Sequence, residues 1–425
     1  NIRAIRTLKA LDGNGDEPLS AEQTDTLRGY SGWGGCADAF SDKPEWADLN
    51  AEIRELLDDD EYTQARASTL TAYYTPGPVV KAMWDALDIG SAPIQVLEPG
   101  CGTGNFMAGI PENIKANVSG VELDPISARI AAALNPDATI LNADLADCTI
   151  HPGFDLTIGN VPYSGDISLD YRTTDGGTSR LPLHDYFIER SVDALRPGGV
   201  AMLLTSRYTL DKRSETMRAD LARKADLVGV VRLPSSTFTR QAGTEAVTDV
   251  LVLRRRERTL DRTPDEAWIH SNPVAVPGYQ DVTVNVNQAV ANDMTAHAVG
   301  DIRPVIGRFG GDFDVVFQGD AEQVGERLQE LLSTQITHGP ALSLGEAEPA
   351  GRAEITVRPD HVAPFEYSVD QRGVVWYGDG ATVTEIAHGQ GDEARRLRGM
   401  IRLRDLAREL QRLELDPARV DDPDV

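Results

Sequence analysis

The run Asn160-Val161-Pro162-Tyr163 puts three groups with a shared chemistry side by side. The Asn160 side-chain oxygen and the Val161 backbone carbonyl can each accept a hydrogen bond from a planar NH₂ group. Held that way, the amine turns its lone pair toward an electrophile. The Tyr163 ring can stack on the flat system that carries the amine. Pro162 restrains residue 161 to extended conformations whatever its side chain. The chemistry that wants these groups together is methyl transfer to an exocyclic amine. Asn and Pro are also ordinary turn residues, so the tetrapeptide gains weight only from what surrounds it.

Four predicted strands position it. Residues 154–158, FDLTI, are an apolar run that predicts a buried parallel strand, and Gly159 lets it end in a tight turn. Ligands of open α/β sheets sit at the carboxyl ends of the strands. Residues 94–106, IQVLEPGCGTGNF, predict a second such strand, followed by Glu98 and then Gly100, Gly102, Gly104, Asn105 and Phe106. Glycines there allow close backbone approach to a ligand, and a following helix N-terminus favours a carboxylate. The next strand, VSGVELDP, ends at Glu122 and Leu123, with Glu122 22 residues after Gly100. An acidic residue about 20 residues on is placed to bind ribose hydroxyls. ILNADL ends another strand at Asp144 and Leu145.

With these residues in view, the chain resembles the class I S-adenosylmethionine-dependent methyltransferases, and among them the adenine-specific DNA methylases. Their signature reads N-P-P-Y where this chain has N-V-P-Y. The segments GYSGWGG, YYTP, LEPGCGTGNF, GNVPY, LHDYF, LLTSR and GTEAVTDVLVL are similar to the methylase portions of large phage and mobile-element methyltransferase–helicase proteins, some of them antirestriction proteins. The resemblance covers residues 19–258 well and 394–414 loosely. It implies S-adenosyl-L-methionine as cofactor, DNA as partner, and a gamma-type motif order. Tyr74, Thr75 and Pro76 then close over the methionine end of the cofactor. Glu98, the glycine loop, Glu122, Leu123, Asp144 and Leu145 complete its site, and Phe238 is a candidate second stacking ring. The chain has no G-x-x-x-x-G-K-[ST] loop, so any helicase partner is a domain or subunit outside it.

Bulk composition sets limits. Asp and Glu number 67 against 41 Lys and Arg, a net charge of −26, which opposes a nucleic-acid partner overall. Residues 201–260 run the other way, with 12 Lys and Arg against 7 Asp and Glu, a net of +5. Arg207, Lys212 and Arg213 are the candidate DNA contacts there. An acidic face elsewhere suits a basic partner. No apolar run reaches membrane-spanning length. The cysteines Cys36, Cys101 and Cys148 lack metal spacing, so no metal site and a reducing, cytoplasmic setting are expected.

The fold expected is α/β: a class I, Rossmann-like sheet over residues 71–258. A helical segment, 1–70, precedes it, and an irregular α+β region, 259–425, follows as a target-recognition or docking region. Ser20 and Gln23 make a capping box for a helix over 21–30. Trp33 is expected to pack under a structural lid corner. Thr75 is a candidate N-cap for a helix over 79–87. Residues 164–182 read as a polar loop beside the amine site, His184-Asp185 as a helix start, and 394–413 as a helix with Leu403, Leu406, Leu410 and Leu413 on its packing face. Leu397 and Ile401 lie off that stripe, and the tail 416–425 reads as disordered.

The reading is N(6)-adenine methylation of a flipped-out base. Two alternatives stay open: a glutamine or RNA methyltransferase using the same N-x-P-Y chemistry, and a non-catalytic module with a relic pocket.

Overall fold

The computed structural model describes residues 1–11, 18–41, 43–69, 74–163, 167–238, 247–307, 310–338, 344, 353–357, 367–369, 374–378, 383–387 and 392–414. Tyr73, the 164–166 stretch and the 416–425 tail lie outside the described residues. The chain divides into two compact units, Asn1–Ala146 with His151–Glu354, and Asp147–Ile150 with Ile355–Val425.

Seven strands of the first unit make one sheet: β1 (Ile94–Pro99), β2 (Ala116–Glu122), β3 (Thr139–Asn142), β4 (Phe154–Asn160), β5 (Leu195–Ser206), β6 (Ala225–Leu233) and β7 (Thr248–Arg255). Their order is β3-β2-β1-β4-β5-β7-β6. The pairs from β3 to β5 are parallel, and β7 runs antiparallel to both its neighbours. Strands sandwiched on both faces read as continuous apolar runs, and the fully buried β1 and β5 interior bear this out.

Side chains alternate across the sheet. Ile94, Val96, Leu156, Ile158, Val200, Met202, Leu204, Val250 and Val252 fill one core with Met83 and Trp84 of helix Gly77–Asp85. Helix Ala321–His338 joins the same layer through Leu328, Leu331 and Leu332. Its Gln335 side chain accepts from the Val230 N–H at 2.7 Å and donates to the Val230 carbonyl at 3.0 Å, so edge strand β6 is covered instead of left open. The compact unit therefore runs on to Glu354, past the expected break at residue 258. A change in composition marks that break in the sequence, but the sheet needs a later helix to close its core.

Several expectations hold. Helix Ala21–Arg28 carries the Ser20–Gln23 capping box. Trp33 is buried edge-on against Phe40. Residues 168–182 differ: Ser168–Arg172 and Thr178–Pro182 pair as an antiparallel hairpin turning through Gly176, whose φ is +85°. Leu169 pairs with Leu181 there, so an apolar face holds together what composition alone presents as loop.

In the second unit, Tyr367–Val369, Val375–Gly378 and Val383–Ala387 form an antiparallel sheet around the buried Trp376. Helix Asp392–Glu414 buries Ala394 and Ile401, and its Arg404 guanidinium donates to the Tyr367 carbonyl at 2.7 Å. Leu403 is 70% exposed and Leu406 55% exposed, so the expected leucine stripe is not the packing face. The opposite side, with Ala394 and Ile401, is buried. Leu410 and Leu413 lie outside the described side chains. Among the described residues no helix is long and apolar enough to cross a membrane.

Candidate active site

The carboxyl ends of β1, β2, β3 and β4 converge on a cavity of about 310 Å³. Glu98, Gly100, Gly102, Asn105, Phe106, Glu122, Leu123, Asp144 and Leu145 line it, as do Tyr74 and Thr75. Asn160, Val161, Pro162 and Tyr163 line the same cavity. The four strand ends picked out from the sequence are thus brought together in space.

The glycine loop is built by positive φ. Gly100, Gly102 and Gly104 have φ of +68°, +54° and +80°, values that L side chains rarely adopt. The loop is tied to β2 by the Cys101 N–H, which donates to the Val121 carbonyl at 3.0 Å. Glu122 closes it further: one carboxylate oxygen accepts from the Gly102 N–H and the other from the Asp124 N–H, each at 2.8 Å. Gly104 does not reach the cavity. A Cβ there would lie 2.6 Å from the Asn135 side-chain nitrogen, so Gly104 serves close packing. The helix that follows, Asn105–Ala108, is a single turn.

Three carboxylates face this end, Glu98 and Asp124 buried and Glu122 half-buried. Burial raises Glu98, Glu122 and Asp124 above the ordinary carboxylate range, Glu122 to about 7, with Asp124 adding like-charge repulsion. Among the described residues, one oxygen each of Glu98 and Asp124 is buried without a partner, as is the Thr75 hydroxyl. Buried unpaired acceptors cost free energy, and a ligand with ammonium or hydroxyl donors would satisfy them.

Tyr74 is wedged between two glycines. A Cβ at Gly32 would lie 2.4 Å from its ring, and one at Gly102 3.2 Å. Its hydroxyl is 3.0 Å from the Ser127 hydroxyl, which donates to Asp124 at 2.5 Å. Gly32 of GYSGWGG therefore reaches the cavity, while Trp33 only packs. Thr75 is not a helix cap. The N-cap position of Gly77–Asp85 falls to Pro76, and Pro76 itself does not line the cavity.

At the other end the Val161 N–H donates to the Leu204 carbonyl at 3.0 Å, extending the β4–β5 ladder by one residue. Proline has no N–H to do this, which gives Val161 a structural reason where the resembling signature has proline. The Tyr163 hydroxyl donates to the Asn160 side-chain oxygen.

The four candidate substrate contacts do not join them. Phe238, the candidate stacking ring, is 5% exposed within the sheet core and does not line the cavity. Arg207 is buried, bonded to Asp211 at 3.2 Å and Asp312 at 2.6 Å, and stacked on Tyr208 and Phe313. Lys212 pairs with the buried Asp185. Arg213 is exposed but is not a cavity residue. Other cations of the net-basic stretch are also internal: Arg218 donates to the Ile269 carbonyl, Lys224 meets Glu189 and Asp193, and Arg232 lies between Asp211 and Asp249. Lys224 and Arg232 thus face carboxylates and Arg218 faces a backbone carbonyl, so these three charges do not form a basic surface.

Sequence reading misses Gly32, Asp124, Ser127 and Phe187 among the lining residues. Asp124-Pro125 carries a signal: Asp before Pro marks a helix start, and Asp124 indeed caps Pro125–Leu134.

Sheet order and site together define a class I methyltransferase fold. The family model for N-6 DNA Methylase matches residues 48–274, and the chain belongs to that family. It is 29% identical over 265 residues to the defense against restriction protein B of Escherichia phage P1, covering 60% of this chain and 11% of that protein. It is 28% identical over 166 residues to the type II methyltransferase M.XamI of Xanthomonas campestris pv. amaranthicola, covering 34% of this chain and 32% of that one. The chain thus spans a tenth to a third of these relatives' lengths. Among solved structures, the M protein of the type I restriction enzyme EcoKI aligns with 11% identity and a TM-score of 0.39, covering 79% of this chain and 88% of that chain.

Proposed function

We propose that this chain methylates the exocyclic N(6) amine of adenine in DNA, using S-adenosyl-L-methionine. The observation that carries the proposal is the single cavity lined by both the glycine loop with its carboxylates and the Asn160–Tyr163 turn.

The residues present fit that cofactor. Its ammonium and ribose hydroxyls are donors, and it carries a net positive charge. Glu98 and Asp124 each offer a buried unpaired oxygen, and Glu122 a third carboxylate. Tyr74, Asn105 and Phe106 would bound it, with Asp144, Leu123 and Leu145 beyond Glu122. When bound, the cofactor supplies an electrophilic methyl group.

The rest of the work belongs to the chain. The Asn160 side-chain oxygen and the Val161 carbonyl would accept from the two amine hydrogens and orient the lone pair. Tyr163 would hold the base by its ring. A paired base hides this amine, so the adenine must leave the stack or be single-stranded. Positioning supplies most of the acceleration, with no covalent adduct to the protein.

The internal pairing of Arg207, Lys212, Arg218, Lys224 and Arg232 favours one addition. A partner, such as a helicase domain or another subunit, supplies much of the basic surface that grips DNA. The test is mass spectrometry of digested, unmethylated DNA after incubation with the chain and cofactor. N(6)-methyladenine is the expected product. Methyl groups recovered only on RNA or protein, or on nothing, would overturn the reading.

A further inference from the structure

The cavity has lining residues that no signature motif contains. Ile167 and Leu169, at the base of the hairpin Ser168–Arg172/Thr178–Pro182, line the cavity that also holds Asn160 and Tyr163. Ile167 is 42% exposed, an aliphatic side chain with surface still to bury.

The far part of this hairpin is pinned. Leu169 and Tyr171 share one face by the two-residue period of a strand. The Tyr171 hydroxyl donates to Asp193 at 2.5 Å and accepts from the Lys224 ammonium at 2.5 Å. Lys224, whose side chain is 4% exposed, also meets Asp193 at 3.1 Å and Glu189. The Thr174 N–H donates to Asp220 at 3.1 Å. A lysine with several anionic and hydroxyl partners in a desolvated site is a stiff anchor, since losing any partner leaves a buried charge uncompensated. The hairpin is thereby fastened to helices Leu183–Ala194 and Thr216–Lys224.

We propose that Ile167 and Leu169 form the aliphatic side of the slot that takes the planar target base. Tyr163 provides the aromatic side, and the Tyr171–Lys224–Asp193 cluster holds the aliphatic side in place. This rests on the proposed function and names the residues that take over the role expected of Phe238. Apolar contact on a flat base needs no aromatic partner. An aliphatic side chain buries area without fixing ring orientation, which suits a slot whose specificity comes from hydrogen bonds to the amine.

The experiment is steady-state methylation of unmethylated genomic DNA by the parent, Ile167→Ala and Ile167→Leu, with cofactor affinity measured by calorimetry. Ile167 is half-exposed, so these variants should fold. Ile167→Ala should raise KM for DNA roughly tenfold, the scale of the apolar area removed, with kcat within threefold and cofactor affinity unchanged. Ile167→Leu should restore most of the loss. Tyr171→Phe, which removes only the hydroxyl from the anchor, should raise KM in the same direction. A parental KM in Ile167→Ala overturns the wall while leaving adenine methylation standing. A matching fall in cofactor affinity overturns it too, by moving Ile167 to the cofactor side. A parent that methylates a different amine with a KM that responds to Ile167→Ala supports the wall and overturns the adenine reading.

Discussion

The Tyr163 hydroxyl donates its hydrogen bond to the side-chain oxygen of Asn160, the same atom proposed to accept from the target amine. An amide oxygen has two lone pairs, so one atom can accept from both a phenol and an amine. On the proposed function Tyr163 would both stack on the base and orient Asn160. Tyr163→Phe keeps the ring and removes that orientation, and its methylation rate should stay within about tenfold of the parent. Tyr163→Ala also loses stacking worth roughly 1–3 kcal/mol, so its KM for DNA should rise about 10- to 100-fold. Comparing kcat and KM for the two variants separates orientation from stacking.

Cofactor binding should release a proton near neutrality. Burial raises the Glu122 carboxyl to about 7 in the free protein. Donors from the cofactor favour the charged form, so binding lowers that value. Affinity should therefore be full above pH 7 and fall as pH drops toward 6, and calorimetric enthalpy at pH 7 should depend on the buffer's ionisation heat. For folding the sign is opposite to that of a paired carboxylate. Between the ordinary value of 4.5 and about 7 the folded chain binds more protons than the unfolded one, so this group's contribution favours folding at low pH and is lost as pH rises through 7. Glu122→Gln should reduce the buffer dependence at pH 7.

Gly32 should matter to cofactor affinity from outside the glycine loop. Its φ is +66°, and a Cβ would lie 2.4 Å from the Tyr74 ring. Gly32→Ala should cost about 1–2 kcal/mol in backbone strain and push Tyr74 against Gly102, weakening cofactor binding. Gly176, with φ of +85° and nothing within 4 Å of a Cβ, is the control. Gly176→Ala should lose similar stability and keep parental cofactor affinity by calorimetry.

Lys212 should be a stability residue. Its partner Asp185 has a side chain only 1% exposed. Lys212→Ala should cost about 3 kcal/mol by chemical denaturation, because a buried carboxylate loses its counter-charge. Adding Asp185→Asn should recover much of it. Arg213→Glu, at an exposed position, should leave stability unchanged.

Lys212 also shows where sequence reading stops. Strand runs, glycine spacing and strand-end acids are local properties, so the Gly100 loop, Glu122, Asp144 and Asn160 are legible in the chain itself. The fate of a cation depends on which distant carboxylate the fold brings to it. Asp185, Asp211 and Asp249 stand on separate elements, and only folding sets them against Lys212 and Arg232. Counting charge over residues 201–260 therefore assigns to the surface several cations, Arg207, Lys224 and Arg232 among them, that belong to a buried network. Phe238 fails for a related reason: it ends the short turn Ser235–Phe238 after β6, which points it into the core. Helix Ala321–His338 is amphipathic in sequence, but nothing local says that its Gln335 closes the edge of a sheet formed a hundred residues earlier.

The central claim is that Asn160 acts on the amine in the methyl-transfer step and takes no part in holding the cofactor. Single-turnover methylation of adenine-containing DNA by Asn160→Ala, with cofactor affinity measured in parallel, tests it most directly. The account predicts a chemical step slower by about 100-fold or more, the scale of removing one positioned hydrogen-bonding group from a transition state, and parental cofactor affinity. A parental rate of adenine methylation in Asn160→Ala would contradict it.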